Sequence, residues 1–251
     1  MIKLINVHKR FGELVVLDGV DFAVNQGETV ALLGPSGVGK SVLLKHMNGL
    51  IHPDSGEVYV DGLSVPHLRR KALSKLRSRI GYVFQFGALF DSMSVRENVR
   101  LGITDQECVA DDAYCRNRVG ECLDLVNLPA GTADKYPADL SGGMRKRVGI
   151  ARAIAGQPTY LLYDEPTSGL DPVNADIIDK LVVKLRDSLG VTSVVVSHDV
   201  RGSFRVADRI ALLHNGTIRT MGTPDEVRAS TDVAVLEFFE RDFETFLDAA
   251  G

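Results

Sequence analysis

The chain has 251 residues, 45% hydrophobic and 25% charged, with a formal net charge of −4. That length buries a sizeable core as one two-lobed domain rather than two independent ones, and the acidic balance gives no electrostatic case for a nucleic-acid partner. No apolar run approaches the roughly 20 residues that cross a bilayer, and Met1 to Phe11, with Lys3, Lys9 and Arg10, does not read as a secretory signal.

In chain order, Ile2 to Val24 alternates apolar and polar residues around a turn at Gly12, which predicts antiparallel strands. Thr29 to Leu33 is an apolar strand, and a helix is expected over Ser41 to Leu50. Between them runs Gly34-Pro35-Ser36-Gly37-Val38-Gly39-Lys40-Ser41, a complete phosphate-binding loop in the strand-to-helix context it needs. Its glycines let successive backbone N–H groups point inward and form an anion site at a helix N-terminus. Lys40 then reaches the outer phosphates and the Ser41 hydroxyl ligates Mg²⁺. A nucleoside triphosphate is the expected ligand.

Gly56 to Gly62 is a short strand ending in a tight turn. The basic run Arg69 to Arg79 has no interleaved aromatics. With Leu68, Leu73 and Leu76 on one side, it reads as a solvated helix face leading into an Ile80–Phe84 strand. From about Ser94 to Ala155 the apolar period becomes helical. Cys108, Cys115 and Cys122 lie there at sevenfold spacing. They have no companion ligands, and their odd count argues for reduced thiols rather than a disulfide framework. Strands return at Thr159–Asp164 and Thr192–Ser197, separated by a helix from about Pro172 to Leu189. Apolar strands alternating with helices predict an α/β fold, a mostly parallel sheet covered on both faces. The helical block, about residues 91–157, is then an inserted second lobe.

Tyr160-Leu161-Leu162-Tyr163-Asp164-Glu165 is a buried-type strand ending in two carboxylates. The first is placed to hold Mg²⁺ through its water shell, the second to polarise an attacking water. Upstream, Leu140-Ser141-Gly142-Gly143-Met144 opens a helix and forms a second anion site. Only one of the two anion sites adjoins the carboxylates, so the other is expected to serve another molecule.

These pieces, with Gln85 after a strand, Ser168-Gly169-Leu170-Asp171, and His198 after Val194-Val195-Val196-Ser197, resemble in order the ATP-binding subunit of ATP-binding cassette (ABC) transporters across residues 1–230. The resemblance implies an antiparallel β subdomain at the N-terminus and a head-to-tail homodimer, each ATP lying between one subunit's phosphate loop and the other's signature. It makes Glu165 the general base and lets His198 hold the γ-phosphate and the water. Gln85 would join Ser41 and Asp164 at Mg²⁺ and report nucleotide state to a membrane permease. Ser141, Gly142 and Gly143 would contact the partner's nucleotide, and Asp171 would lie at the dimer contact. The implied location is the cytoplasmic face of the cell membrane.

Phe11 stands where the family places an adenine-stacking aromatic; a core phenylalanine at a strand end is the alternative. Met144 replaces the usual signature glutamine and cannot donate a hydrogen bond. Gly143-Met144 followed by Arg145-Lys146-Arg147-Val148, and Phe84-Gln85-Phe86-Gly87-Ala88-Leu89-Phe90, resemble the ATPases of MCE-type lipid transporters. That likeness points to phospholipid transport, with an MCE-domain protein and a small accessory cytoplasmic protein as further partners. An importer ATPase for a small polar solute shares the same motif order, and a soluble non-transport ABC ATPase is a third reading. Phe86, Leu89, Phe90 and Met93 form either helical-lobe core or a permease contact. Residues 231–251 make an amphipathic helical tail, with Val233, Leu236, Phe239, Phe243 and Phe246 on one face. That face either folds back on its own domain or docks on a partner.

Overall fold

The computed structural model describes residues 1–103 and 112–239, which form two compact units. One comprises Met1–Leu73 and the chain from Val194 onward; the other is Ser74–Ser193.

In the first unit, β1 (Ile2–Phe11), β2 (Leu14–Val24), β4 (Ser55–Val60) and β5 (Leu63–Ser64) make an antiparallel sheet in the order β2-β1-β4-β5. Ile2, Leu4 and Val7 are buried, so the alternation of β1 slips by one residue. The slip falls at Asn6, a non-glycine at φ +47°, with register shifts on either side. This bulge resets which face of the strand points inward. A Cβ at Gly56, on the neighbouring strand, would run into the Asn6 carbonyl.

The same unit holds β3 (Thr29–Leu33), every residue of which is buried. It pairs in parallel with β9 (Arg209–His214), and β9 turns back antiparallel into β10 (Thr217–Gly222). Asn215 and Gly216, at φ +48° and +76°, make that two-residue turn, the chemistry a tight hairpin demands. Ala31, Leu33, Ile210 and Leu212 form a core with Val200, Val227, Val235 and Phe239.

That core settles part of the tail. Residues 233–239 are helical, and Val235 and Phe239 are buried with Phe238 packed alongside. The Phe239 ring meets Phe204 edge-on at 5.6 Å. Val233 and Leu236 are exposed, so the inward stripe runs through 235 and 239 and not through 233 and 236 as the spacing predicts. A short helix presents only about 100° of surface to its core, and anchoring by Phe239 together with Val235 chooses the phase. Phe243 and Phe246 lie outside the described residues.

In the second unit, β6 (Ile80–Val83) and β7 (Tyr160–Asp164) run parallel with Ile80 opposite Tyr160 and Val83 opposite Tyr163. Helices span Val95–Arg100, Asp112–Leu125, Gly142–Ala155 and Pro172–Leu189. The Gly142–Ala155 helix buries Val148, Ile150, Ala151 and Ile154, and it lies so close to β6 that a Cβ at Gly81 would strike the Ala153 carbonyl. Strand β8 (Thr192–Val196) spans the division between the units. Cys122 is a free buried thiol, but Cys115 is disulfide-bonded, which corrects the expectation of reduced cysteines. An odd count excludes a fully paired framework, not a single bridge.

Candidate functional site

The phosphate loop leaves buried β3 and enters the Lys40–Met47 helix. Gly34, Gly37 and Gly39 sit at φ +150°, +79° and +112°, values that disfavour any residue with a Cβ. At Gly39 a Cβ would come within 2.7 Å of the Val16 side chain, and at Gly34 it would collide with the Leu213 carbonyl. A glycine cradle of this kind fits a phosphate chain approached by backbone N–H groups. The Lys40 ammonium, 6% exposed, donates to the Gly34 carbonyl at 2.7 Å and the Pro35 carbonyl at 3.0 Å. Those neutral acceptors are ones an anionic phosphate would outcompete. Pro35, Ser36 and Val38 complete the loop, and the Val38 N–H closes a turn on the Pro35 carbonyl.

Two more expected residues belong to this unit. Phe11 is 49% exposed with the Lys9 ammonium 5.4 Å from its ring centre. It is therefore not a core residue. His198 is exposed and follows Ser197, whose hydroxyl accepts from the Asp199 N–H at 2.9 Å. Asp199 in turn caps the Val200–Val206 helix.

In the other unit, Asp164 ends β7 and Glu165 follows at φ +52°, a left-handed non-glycine residue. The Tyr82 hydroxyl donates to the Asp164 carboxylate at 2.9 Å. The Gln85 amide donates to the Ser168 hydroxyl at 3.3 Å. No group of three or more His, Cys, Asp or Glu side chains suited to a metal occurs among the described residues. The hydroxyl of Ser41, the amide oxygen of Gln85 and the carboxylate of Asp164 are hard oxygen donors. Oxygen donors of this kind, Ser41 in one unit and Gln85 with Asp164 in the other, are the type that suits Mg²⁺, which is held by few protein ligands together with substrate phosphates.

The signature opens the Gly142–Ala155 helix. Ser141 is its N-cap and accepts from the Met144 N–H at 3.3 Å, while Ser141 and Gly142 remain exposed. Gly143 is buried, and a Cβ there would come 2.6 Å from the Asn174 side chain. Asn174 donates to Asp171 at 2.6 Å, and Asp171 caps the Pro172–Leu189 helix. These bonds, the Asn174 side chain first, hold the Asp171 carboxyl below its ordinary pKa.

Around Gln85 the aromatic residues face solvent. Phe86 and Phe90 are 78% and 54% exposed, which decides against the helical-lobe core for them, while Leu89 and Met93 are half-buried; neighbouring Phe84 is 42% exposed. The loop that carries them is tied from below. Buried Asn98 donates to the Phe90 and Met93 carbonyls and accepts from the Phe90 N–H, and Arg152 donates to the Gly87 and Ala88 carbonyls. Beside it lies a cavity of about 520 Å³ lined by Tyr82, Phe84, Leu101, Arg77 and Arg152 among others.

Sequence reading missed Tyr82, Lys146 and Asn98. Tyr82 and Lys146 look like an ordinary strand aromatic and a charged helix residue until strand and helix are packed. Asn98 sits among Arg96, Glu97 and Arg100 in its short helix, so nothing local marks it as buried.

The comparisons with known proteins agree with this geometry. The ABC transporter family model matches residues 17–168. The sulfate/thiosulfate import ATP-binding protein CysA of Caulobacter vibrioides is 41% identical over 91% of this chain, which spans about two thirds (66%) of that relative's length. The intermembrane phospholipid transport system ATP-binding protein MlaF of Haemophilus influenzae is 35% identical over 96% of this chain and 90% of its own. Among solved structures, a dimeric ATP-binding cassette in a post-hydrolysis state bound to ADP and Pi is 35% identical. It superposes with a TM-score of 0.78, covering 89% of this chain and 99% of the other. The α/β arrangement described above is therefore that of a phosphate-loop ATPase cassette, and this chain belongs to the ABC transporter family.

Proposed function

We propose that this chain is the ATP-hydrolysing subunit of an ABC transporter, acting as a homodimer on the cytoplasmic face of the cell membrane and powering a separate permease. The supporting observation is the solvent-facing Phe84, Phe86 and Phe90 around Gln85. A stand-alone ATPase gains nothing by leaving such an apolar group in water, whereas a membrane partner would cover it.

In this reading Lys40 and the loop N–H groups neutralise the phosphates, and Phe11 stacks on adenine. Ser41, Asp164 and Gln85 would hold Mg²⁺, which would supply charge neutralisation to the phosphates when bound. Glu165 takes the proton of the attacking water, and His198 fixes that water and the γ-phosphate. Ser141, Gly142 and Gly143 bind the nucleotide of the opposing subunit, with Asp171 at the contact between copies. The cassette comprises residues 1–230, with the helical part inserted at about 91–157 and the tail following.

For the cargo, phospholipid is supported by Met144 in the signature, by the Phe84–Phe90 segment and by the MlaF likeness over 90% of that relative. An MCE-domain protein and a small accessory cytoplasmic protein would then be partners. A small-solute importer is the second reading, favoured by the higher identity to CysA, 41% against 35%.

Two experiments test this. Glu165→Gln leaves ATP bound, slows hydrolysis about 10²–10⁴-fold as expected for a lost general base, and traps a nucleotide-bound dimer. Hydrolysis near the wild-type rate would remove Glu165 from the role. Purifying the tagged chain with its co-expressed operon separates the cargoes: an MCE-domain partner supports phospholipid, and a solute-binding protein supports the importer.

A further inference from the structure

Lys146 lies in the first turns of the signature helix, yet it faces inward and is only 6% exposed. A buried ammonium needs acceptors. It finds them in two backbone carbonyls of one short turn, donating to Glu165 O at 3.3 Å and to Ser168 O.

The turn from Glu165 to Leu170 also carries backbone hydrogen bonds of its own. The Ser168 N–H reaches the Glu165 carbonyl at 3.3 Å and the Leu170 N–H reaches the Thr167 carbonyl at 3.2 Å. Glu165 itself sits at φ +52°, where a residue with a Cβ stays only if its surroundings hold it. Charge-assisted bonds are the stronger kind, and the two that Lys146 makes span the turn from Glu165 to Ser168. Burial lowers the Lys146 pKa to about 8, partly offset by the attraction of the Glu165 charge, so ammonium and carboxylate feel each other. The Ser168 hydroxyl, on the same turn, accepts from Gln85.

We propose that Lys146 is a positioning residue for hydrolysis: by clamping the Glu165–Ser168 turn to the signature helix, it holds the Glu165 carboxylate where it can take the proton of the attacking water. This rests on Glu165 being the general base. Lys146 touches neither nucleotide nor water in this assignment. It acts through the peptide frame of Glu165, and displacement of a reacting group by about 1 Å can cost on the order of 10²-fold in rate.

The test uses the full chain with Mg²⁺ and ATP. Lys146→Met removes the donor while keeping an unbranched side chain, and replacing a buried ion by an apolar group is often neutral or stabilising. The expected result is a kcat lowered about 10- to 100-fold, a KM for ATP changed less than about threefold, and an unchanged or higher melting temperature. Lys146→Arg, which restores donors, should recover most of kcat. In the Glu165→Gln background Lys146→Met should cost almost nothing more, because residues acting as one unit are not additive.

Wild-type kcat in Lys146→Met overturns the proposal, as does a rise in KM at constant kcat, or losses that multiply in the double variant. If Lys146→Met fails to fold, Lys146→Gln takes its place under the same criteria. Near wild-type hydrolysis by Glu165→Gln alone would instead sink the underlying base assignment, so the two failures read differently.

Discussion

The Tyr82 hydroxyl donates a 2.9 Å hydrogen bond to the Asp164 carboxylate, while the ring of the same residue lines the 520 Å³ cavity beside the exposed phenylalanines. Its ring also lies 4.6 Å from that of Phe84. One side chain thus joins the proposed permease surface to the proposed Mg²⁺ carboxylate. Burial and the Asp164 charge raise the Tyr82 pKa, so it remains a neutral donor at any assay pH. Tyr82→Phe keeps the ring and deletes the bond. The expected outcome is a stability change within about 1.5 kcal/mol, the net worth of one hydrogen bond. The Mg²⁺ concentration for half-maximal hydrolysis should rise about tenfold, because outer partners orient metal-binding carboxylates. A Mg²⁺ titration of ATPase activity reads this, and an unchanged midpoint counts against the link.

Asn98 and Phe86 should separate fold from docking. Phe86 is 78% exposed, so Phe86→Ala should change stability by less than about 0.5 kcal/mol, as surface changes do. It should still weaken co-purification of the permease. Asn98→Ala strips partners from the Phe90 N–H and the Phe90 and Met93 carbonyls at a fully buried position. A loss of about 3 kcal/mol is expected from stranding these groups. Denaturant melts alongside pull-downs distinguish the two behaviours; equal destabilisation by both variants would refute the assignment of Phe86 to a contact.

Lys146 should leave a pH signature in stability. Its ordinary pKa of 10.5 falls to about 8 in the folded chain because burial disfavours the ammonium. Between these values the unfolded chain binds more protons than the folded one, so the contribution of Lys146 to stability rises with pH. Below pH 8 both forms are protonated and the dependence vanishes. Urea unfolding of wild type and Lys146→Met at pH 7, 8 and 10 should show wild type gaining relative to the variant only over the upper interval. A difference that is flat from pH 8 to 10 disproves the shifted ionisation.

Truncation after Ser230 should lower the melting temperature, since it removes Val235 and Phe239 from a core shared with Ala31, Leu33, Ile210 and Leu212. Deleting a buried phenylalanine alone costs about 3–5 kcal/mol. Thermal unfolding of the truncated chain checks this. If that chain keeps its stability and loses a partner, the tail is a docking element and its packing on the core is secondary.

Linear order was enough to find the motifs of the family. The phosphate loop, the Leu140–Met144 signature, Asp164-Glu165 and His198 are legible because each needs particular residue types at adjacent positions: glycines where the backbone must take φ near +79° or +112°, a lysine to follow, carboxylates at the end of an apolar strand. The α/β alternation is legible too, through the switch between periods of two and 3.6. What the string of residues left open were choices between two environments for one side chain. Tertiary packing put Phe11, Phe86 and Phe90 in solvent and Phe239 in the core, turned the tail so that Val235 and not Val233 faces inward, and buried Lys146 under the turn that carries Glu165. Periodicity says that a side chain belongs to a face, but the direction of that face depends on elements far away in sequence. For Lys146 the carbonyls of Glu165 and Ser168, about 20 residues downstream, decide where the charge goes, and no local pattern encodes a bond between a helix and a loop.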